Sequence, residues 1–352
     1  MKLEELRGKV DLIDAEVLKL LNARMELALR TRKLKDGVVD SGREKEIMER
    51  VKKASVGLVS PEFTEKLFRE IIAESRKQQE KNPLLIGFQG EHGAYGEIAA
   101  KAYSPGAVPI SCKEFTDVFS AVEKGQLDFG IVPVENSLEG AVTQVNDLLV
   151  ETPLQIVGEL RVPVHHCLLA LPDTDYHDIR MVYSHPQALA QCRGFIARNK
   201  LEPRPYYDTA GAAEMLSNER PKAAAAIASR LCAELYGLEI LKENIEDHES
   251  NSTRFVVLAR EKPAKKGNKC SIIFSTTHKA GSLFSVLGAF SEAGINLTRI
   301  ESRPIRSEPK KYAFLLDFQG ADTDAKVVAA MKKVKEETSM LKFLGCYEEA
   351  KE

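Results

Sequence analysis

Tryptophan is absent from this 352-residue chain, and its six cysteines, Cys112, Cys167, Cys192, Cys232, Cys270 and Cys346, form no Cys-x-x-Cys or other metal-ligand spacing. That scatter excludes a disulfide-stapled scaffold and a cysteine metal site, and it fits reduced thiols in a cytoplasm. Charge of one sign is lacking too: 50 Lys and Arg stand against 52 Asp and Glu, for a net charge of −2. Without a basic block, nucleic acid or an anionic membrane is excluded as the main partner. No apolar stretch reaches the ~18 residues of a membrane span. The N-terminus alternates charged residues with leucine and has no signal-peptide core. A cytoplasmic protein of two or three domains is expected from this length.

Residues 1–82 hold few glycines or prolines, and their apolar residues recur every three or four positions, which predicts an all-α helical domain. A first helix runs to about Lys35, a polar turn follows over 36–42, and further helices carry Ile47, Val51, Leu67, Ile71 and Ile72. Asn82-Pro83 closes the segment. Short apolar runs at 84–88, 129–134, 182–183 and 255–258 then alternate with helical stretches, predicting an α/β domain over 83–261. Its middle, from about 162 to 241, reads as a second lobe inserted in the chain. Residues 262–267 look like a linker. Beyond it, over 268–348, the order strand, helix, strand, strand, helix, strand predicts a ferredoxin-like α+β domain, βαββαβ.

Arg7, Val10, Asp14, Val17, Leu21, Arg24, Ala28, Thr31 and Lys35 fall on one face of the first helix. Long cationic side chains can snorkel from a core edge, but three in one apolar register call for an anion. At ~1.5 Å per residue, Arg7 and Arg24 lie roughly 26 Å apart, so a small dianion touching both needs a helical dimer. Asp40, Arg43 and Glu44 form a further polar set, and Ser75 and Gln79 lie one turn apart.

With Leu6-Arg7, Leu21-Asn22-Ala23-Arg24, Lys35, Asp40-x-x-Arg43-Glu44 and Ser75-x-x-x-Gln79, this segment resembles the all-helical chorismate mutase family. The resemblance implies an intertwined dimer. In it, Arg24, Lys35, Asp40, Arg43, Glu44, Ser75 and Gln79 hold chorismate together with the partner subunit's Arg7. A Claisen rearrangement needs no covalent intermediate, only a fixed compact conformer and a donor for charge developing on the ether oxygen. The resemblance gives that last role to Lys35 and Gln79.

In the middle domain Gly87, Gly90, Gly93 and Gly96 follow a strand, but the GxGxxG pattern and an acidic strand end are lacking, which argues against a dinucleotide loop. They read as a turn and helix N-terminus that bring bare backbone amides to an anion. Four apolar runs end in uncharged donors: Asn136-Ser137, Ser184 with Gln191, Thr209, and Asn251 to Thr253. Together they predict a ligand cleft between lobes. His185, before Pro186, reads as a structural turn residue.

The motifs Gly90-x-x-Gly93-Ala94-Tyr95, Glu135-Asn136-Ser137-x-x-Gly140, Ser184-His185-Pro186-Gln187, Ala226-Ile227-Ala228-Ser229 and Thr253-Arg254-Phe255 closely resemble prephenate dehydratase. That family folds as two α/β lobes like a periplasmic binding protein. The resemblance implies Thr253 as the key hydroxyl, with Asn136, Ser137, Ser184, Gln191, Thr209 and Glu214 around prephenate; Arg254 serves either the substrate's charge or only the fold. Prephenate loses CO2 and its ring hydroxyl, so the enzyme has chiefly to help that hydroxyl leave. Threonine is a weak acid, which leaves Thr253 to orient the leaving group and Glu214 as a candidate to complete the proton transfer.

Gly281-Ser282-Leu283-Phe284 and Gly294-Ile295-Asn296-Leu297, running on to Glu301-Ser302-Arg303-Pro304, resemble the ACT domain appended to that family. The resemblance implies a phenylalanine site formed by Gly281, Ser282, Leu283, Asn296, Leu297, Glu301, Ser302, Arg303 and Pro304. Ala280 stands where relatives often carry proline, which loosens the turn. The expected whole is a cytoplasmic homodimer or homotetramer. It takes chorismate through prephenate to phenylpyruvate, is inhibited by L-phenylalanine, and uses no metal or other cofactor. A dehydratase whose helices only dimerise, and a non-catalytic amino-acid sensor, are the rival readings.

Overall fold

Helix α1 spans Leu3–Arg32, α2 Ser41–Ala54 and α3 Pro61–Glu80 in the computed structural model, which describes residues 3–262, 266–277, 279–305, 308 and 311–350. Residues 263–265 of the expected linker lie outside the described residues. Helix α1 stops short of the expected Lys35 because the Lys33 and Leu34 amides turn back onto the Arg30 and Thr31 carbonyls, tightening the last turn. Side chains cap the next two helices. Asp40 accepts the Arg43 amide at α2, and Ser60 accepts the Phe63 amide at α3, where Pro61 takes the first position. Helix α3 packs on both others. Along α1, Val10, Ile13, Val17, Leu18, Leu20 and Leu27 remain exposed.

The first α/β lobe comprises β1 (Leu85–Gln89), α4 (Tyr95–Tyr103), β2 (Val108–Cys112), α5 (Phe115–Glu123), β3 (Phe129–Asn136), β4 (Gly140–Ala141), α6 (Thr143–Glu151) and β5 (Gln155–Pro163). The chain then crosses to a second lobe. This begins with β6 (Cys167–Ala170), β7 (Met181–Ser184), α7 (Pro186–Gln191), α8 (Arg193–Arg198) and β8 (Glu202–Pro205). It continues with α9 (Thr209–Glu219), β9 (Ala224–Ala228), α10 (Arg230–Tyr236) and β10 (Glu239–Lys242), and β11 (Ser252–Ala259) returns to the first lobe. The inserted lobe is therefore where periodicity placed it. Strand order is β2-β1-β3-β11-β5 in one sheet and β10-β6-β9-β7-β8 in the other. The alanines of β9 pack on both faces of the second sheet, Ala224, Ala226 and Ala228 on one and Ala225 on the other.

Strands β12 (Lys269–Ser275), β13 (Leu297–Pro304), β14 (Tyr312–Gln319) and β15 (Met340–Tyr347), with α11 (Ser282–Glu292) and α12 (Ala325–Glu337), complete the chain in the expected βαββαβ order. The sheet runs β13-β14-β12-β15, antiparallel throughout. Its helices cover Ile272, Phe274 and Phe318 on one face. The opposite face, through Ile273, Leu315, Leu344 and Tyr347, joins the first lobe's core around Val134, Leu149 and Ile156, a cluster that also takes in Leu29 of α1. One apolar interior thus runs through helices, lobe and C-terminal sheet. Gly345 marks its tightest approach: a Cβ there would lie 2.1 Å from the Ile156 carbonyl oxygen.

Polar contacts tie α1 to both lobes. Lys19 pairs with Glu214 on α9 of the second, whereas Glu26 meets His92 at 2.7 Å and Lys33 meets Asp128 at 2.8 Å in the first. Among the described residues no helix is long and apolar enough to cross a membrane.

His92 lies between Glu26 and Glu97. Burial alone would push its imidazole down, but the two carboxylates outweigh burial and hold it up at about 10. An unfolded chain's imidazole titrates near 6.5, so this contribution is complete below about 6.5 and is lost as pH rises towards about 10. The gap in thermal midpoint between the native chain and His92→Gln is therefore expected to close over that interval. A gap independent of pH would show that the ion pairs contribute nothing to docking α1.

Candidate active site

Strands β3 and β11 pair so that Asn136 stands opposite Thr253 and Glu135 opposite Arg254, after which Pro133 faces Phe255 and Val134 is left over as a bulge. Proline has no amide hydrogen for the ladder and is tolerated at such an irregularity, and the bulge re-aims the strand end beside it. Asn136 Oδ1 accepts the Leu138 amide at 3.0 Å and the Glu139 amide at 3.1 Å, an Asx turn that fixes which way its side chain faces. Its Nδ2 then donates to Asn251 Oδ1 at 2.9 Å and Thr253 Oγ1 at 3.0 Å. Since Thr253 Oγ1 accepts from Asn136, its own hydrogen points elsewhere. Half-buried Thr253 is thereby set up as a donor to a ligand. Beside it Asn251, 1% exposed, carries an Nδ2 with no partner among the described residues.

The second lobe reaches this strand end through Gln191, whose Nε2 donates to Glu139 Oε1 at 3.0 Å while its Oε1 meets His166 Nε2 at 2.8 Å. That acceptor places the His166 proton on Nε2, and burial holds its pKa below the usual 6.5, so the ring is neutral at neutral pH. Ser137, exposed, bonds the Ser250 carbonyl and the Ser252 amide and closes the turn. Thr209 opens α9 behind the Asp208 cap. Between the lobes, then, lies a hydroxyl donor with mostly uncharged partners. Such a set can grip a leaving hydroxyl through hydrogen bonds. No cluster among the described residues has the make-up of a metal site.

A second polar site lies among the helices. Arg24 Nη1 on α1 and Gln79 Oε1 on α3 are both buried and have no partner among the described residues. Burial pushes the Arg24 guanidinium down from its usual value. Gln79 Nε2 donates to Ser75 Oγ at 3.1 Å. A hydroxyl can donate as well as accept, so the Gln79 amide can turn over without losing that bond, which makes its unpaired atom a donor. Lys35 Nζ donates to the Val38 carbonyl at 3.2 Å, and Arg43 pairs with Glu46 at 2.8 Å. Arg7 is exposed, far along α1 from Arg24.

In the C-terminal domain Gly281, at φ 87°, turns into α11, and a cavity of about 160 Å³ is lined by Thr276, Lys279, Ser282, Leu283, Lys311 and Tyr312. Asn296 Nδ2 meets Gln319 Oε1 at 3.1 Å. Leu297, Glu301 and Arg303 are half-buried on edge strand β13, whereas Ser302 and Pro304 alternate to its exposed face.

Three family profiles match the chain in succession: chorismate mutase type II over residues 6–80, prephenate dehydratase over 86–263 and the ACT domain over 271–336. The bifunctional chorismate mutase/prephenate dehydratase of Neisseria gonorrhoeae is 36% identical over 347 residues, covering 97% of this chain and 95% of that protein. The enzyme of the same name from Aquifex aeolicus is 36% identical over 362 residues, covering 99% and 98%. The chain belongs to the bifunctional chorismate mutase/prephenate dehydratase family. Among solved structures, prephenate dehydratase from Arthrobacter aurescens in complex with L-Phe superposes with a TM-score of 0.70 at 31% identity, covering 76% of this chain and 90% of that one.

Several expected site residues of the mutase and dehydratase segments are otherwise engaged. Arg254 does not enter the dehydratase cleft. Alternation along β11 sends it to the far side of the sheet, where it is 3% exposed and binds Glu159 and Asp317, each at 2.7 Å. Ser184 is fully buried and gives its hydroxyl to the Ile227 carbonyl at 2.6 Å. Glu214 faces Lys19 of the mutase helix. His185 caps α7, accepting the Gln187 amide. The glycine loop holds no open anion nest: the Gly93 amide is taken by Glu97 at 2.7 Å, and its carbonyl by Ser229 of the second lobe at 2.6 Å. In the mutase segment Asp40 caps α2 and Glu44 receives Arg76. In the ACT domain Arg303 pairs with Asp147 of the dehydratase at 2.6 Å. His166 and Glu139 had carried no expected role, and Asn251 was expected only as one of the donors at a strand end. Only Asn251, at the polar start of an apolar run, had a local signal.

Asn136→Asp keeps the Asx turn but turns the Nδ2 donor into an acceptor, drawing the Thr253 hydrogen towards itself. Loss of one preorganised donor costs roughly 10²–10³ in turnover, and dehydratase kcat is expected to fall by that factor. Thr253→Val should fall as far, and the double variant no further, because both remove one device. Steady-state rates that multiply across the double variant would refute a shared device.

Proposed function

We propose that the chain converts chorismate to prephenate in residues 1–82 and prephenate to phenylpyruvate in residues 83–261, under inhibition by L-phenylalanine bound to residues 268–348. The carrying observation is the unpaired burial of Arg24 Nη1 and Gln79 Oε1. A helical domain kept only for dimerisation has no reason to leave a nitrogen of a half-buried guanidinium buried and unpaired, which is costly without an anion. A chorismate carboxylate supplies that anion. Gln79, turned over on Ser75, supplies a hydrogen bond to the ether oxygen, and being an amide it does so without changing charge near neutral pH.

In the dehydratase cleft, Thr253 donates to the departing ring hydroxyl while Asn136 holds its oxygen. Accepting one hydrogen bond strengthens the one that Thr253 gives. Aromatisation of the ring drives loss of CO2 and hydroxide, so the protein need only stabilise the leaving oxygen and align the carboxylate for departure. Glu214, bound to Lys19, is replaced in this reading by the uncharged set of Asn251, Gln191 and His166.

A homodimer brings the partner subunit's Arg7 to the mutase site. The exposed row on α1, with Val10 at 56% and Val17 at 49% on the same stripe as Arg7 and Arg24, supports this assembly. Exposed Phe284 and Ile300, beside the ACT motifs, support a second contact between copies there.

Paired variants of the full chain test the two activities. Arg24→Leu is expected to lower chorismate turnover by roughly 10²-fold or more and to leave prephenate turnover unchanged, with Thr253→Val doing the reverse. A native chain that consumes prephenate but not chorismate would leave the helices as a dimerisation device. One that binds prephenate and turns over neither substrate would be a sensor.

A further inference from the structure

Arg254 follows Thr253 in the chain, and Glu135 precedes Asn136; both of these neighbours are bound by residues of the ACT domain. Arg254 Nη2 donates to Asp317 Oδ2 of β14 at 2.7 Å, and Asp317 Oδ1 accepts the Ser271 hydroxyl at 2.6 Å. Arg299 of β13 places Nε 3.7 Å from Glu135 Oε2 and Nη1 4.0 Å from Asp317 Oδ2. A second connection runs through the backbone. Arg299 Nη2 donates to Asn146 Oδ1 at 2.7 Å, and Asn146 Nδ2 donates at 3.2 Å to the carbonyl of Val134, the residue that bulges from β3 next to the Glu135-Asn136 pair.

Apart from Glu135, whose side chain is 38% exposed, these groups are largely dry. Arg254 and Asp317 are each 3% exposed and Asn146 is fully buried. Charged groups without water hold fixed positions relative to their partners, because a small separation exposes each to a large desolvation cost. A displacement of β13 or β14 is therefore carried to β3 and β11 and is not absorbed by solvent. The strand that contributes Arg299 also carries Glu301 to Pro304, the segment assigned above to phenylalanine.

We infer that Arg299 and Asp317 are positioning residues for the dehydratase: through Asn146, Glu135 and Arg254 they set the Asn136–Thr253 hydrogen bond, and effector binding at the ACT domain acts on turnover by moving them. The inference rests on the phenylalanine inhibition proposed above. Neither residue touches the substrate.

The test measures phenylalanine binding by calorimetry and its effect on prephenate turnover in the same full-length samples, with chorismate turnover and thermal midpoint as controls. In Arg299→Gln, phenylalanine is expected to bind as in the native chain while its effect on dehydratase kcat shrinks by at least ~5-fold, the lower range of an allosteric coupling. Asp317→Asn should do the same. Arg299→Lys keeps the buried charge balance but not the reach to Asn146, and tests the same route if the other variants fold poorly; its response should fall in the same direction. Native-like inhibition in Arg299→Lys or Arg299→Gln would overturn the inference. So would loss of inhibition in step with loss of binding, which would place Arg299 in the effector site itself. A native chain that binds phenylalanine without any change in rate would overturn the regulatory reading as well, and so is distinguishable from failure of the coupling alone.

Discussion

A β-strand sends successive side chains to opposite faces, and at residues 253 and 254 that alternation divides the work of this protein. Thr253 turns to Asn136 and the interlobe cleft, whereas Arg254 turns to Glu159 and Asp317. The threonine at the cleft and the anchor of the C-terminal domain are therefore neighbours on one strand. A one-residue slip of β11 would exchange the two faces, burying the hydroxyl among carboxylates and exposing the guanidinium. Strand β11 is paired on both sides, to β3 and β5, which holds it against such a slip.

The buried charges explain why the C-terminal sheet sits where it does. Arg254, Lys269, Glu159 and Asp317 are all nearly inaccessible, and removing one partner from such a set typically costs about 3–5 kcal/mol. Burial pushes the Asp317 carboxyl up, but Arg254 and Arg299 outweigh it and hold its pKa below the usual range, so it remains charged in the interior. The apolar surface around Leu315, Leu344 and Tyr347 supplies adhesion without direction, and the ion pairs supply the register. At the other end of the chain, α1 combines Leu29 in the same core with polar contacts to both lobes.

Much of the architecture was legible locally. The three-to-four spacing marked the N-terminal helices, and the βαββαβ order at the C-terminus needed only apolar runs and glycine turns. In the dehydratase segment β2, β8 and β10 are short and partly exposed, leaving no continuous apolar run, and the alanines of β9 carry little strand preference. Asn136, Thr253 and Gln191 were recognisable as donors at strand and helix ends. Arg254, Glu214 and Ser184 looked equally polar, yet their partners lie 63, 195 and 43 residues away in the chain.

The helical segment, the alternating α/β pattern, the C-terminal βαββαβ order and the donor-rich motifs follow from local sequence, because caps, turns and periodicity act over a few residues. Which motif residues face a cleft and which hold domains together is set by long-range packing. That division depends on the Val134 bulge, on the pairing of β11 between β3 and β5, and on which buried charge meets which. Burial and charge compensation are properties of the assembled interior, and no short stretch of chain contains them.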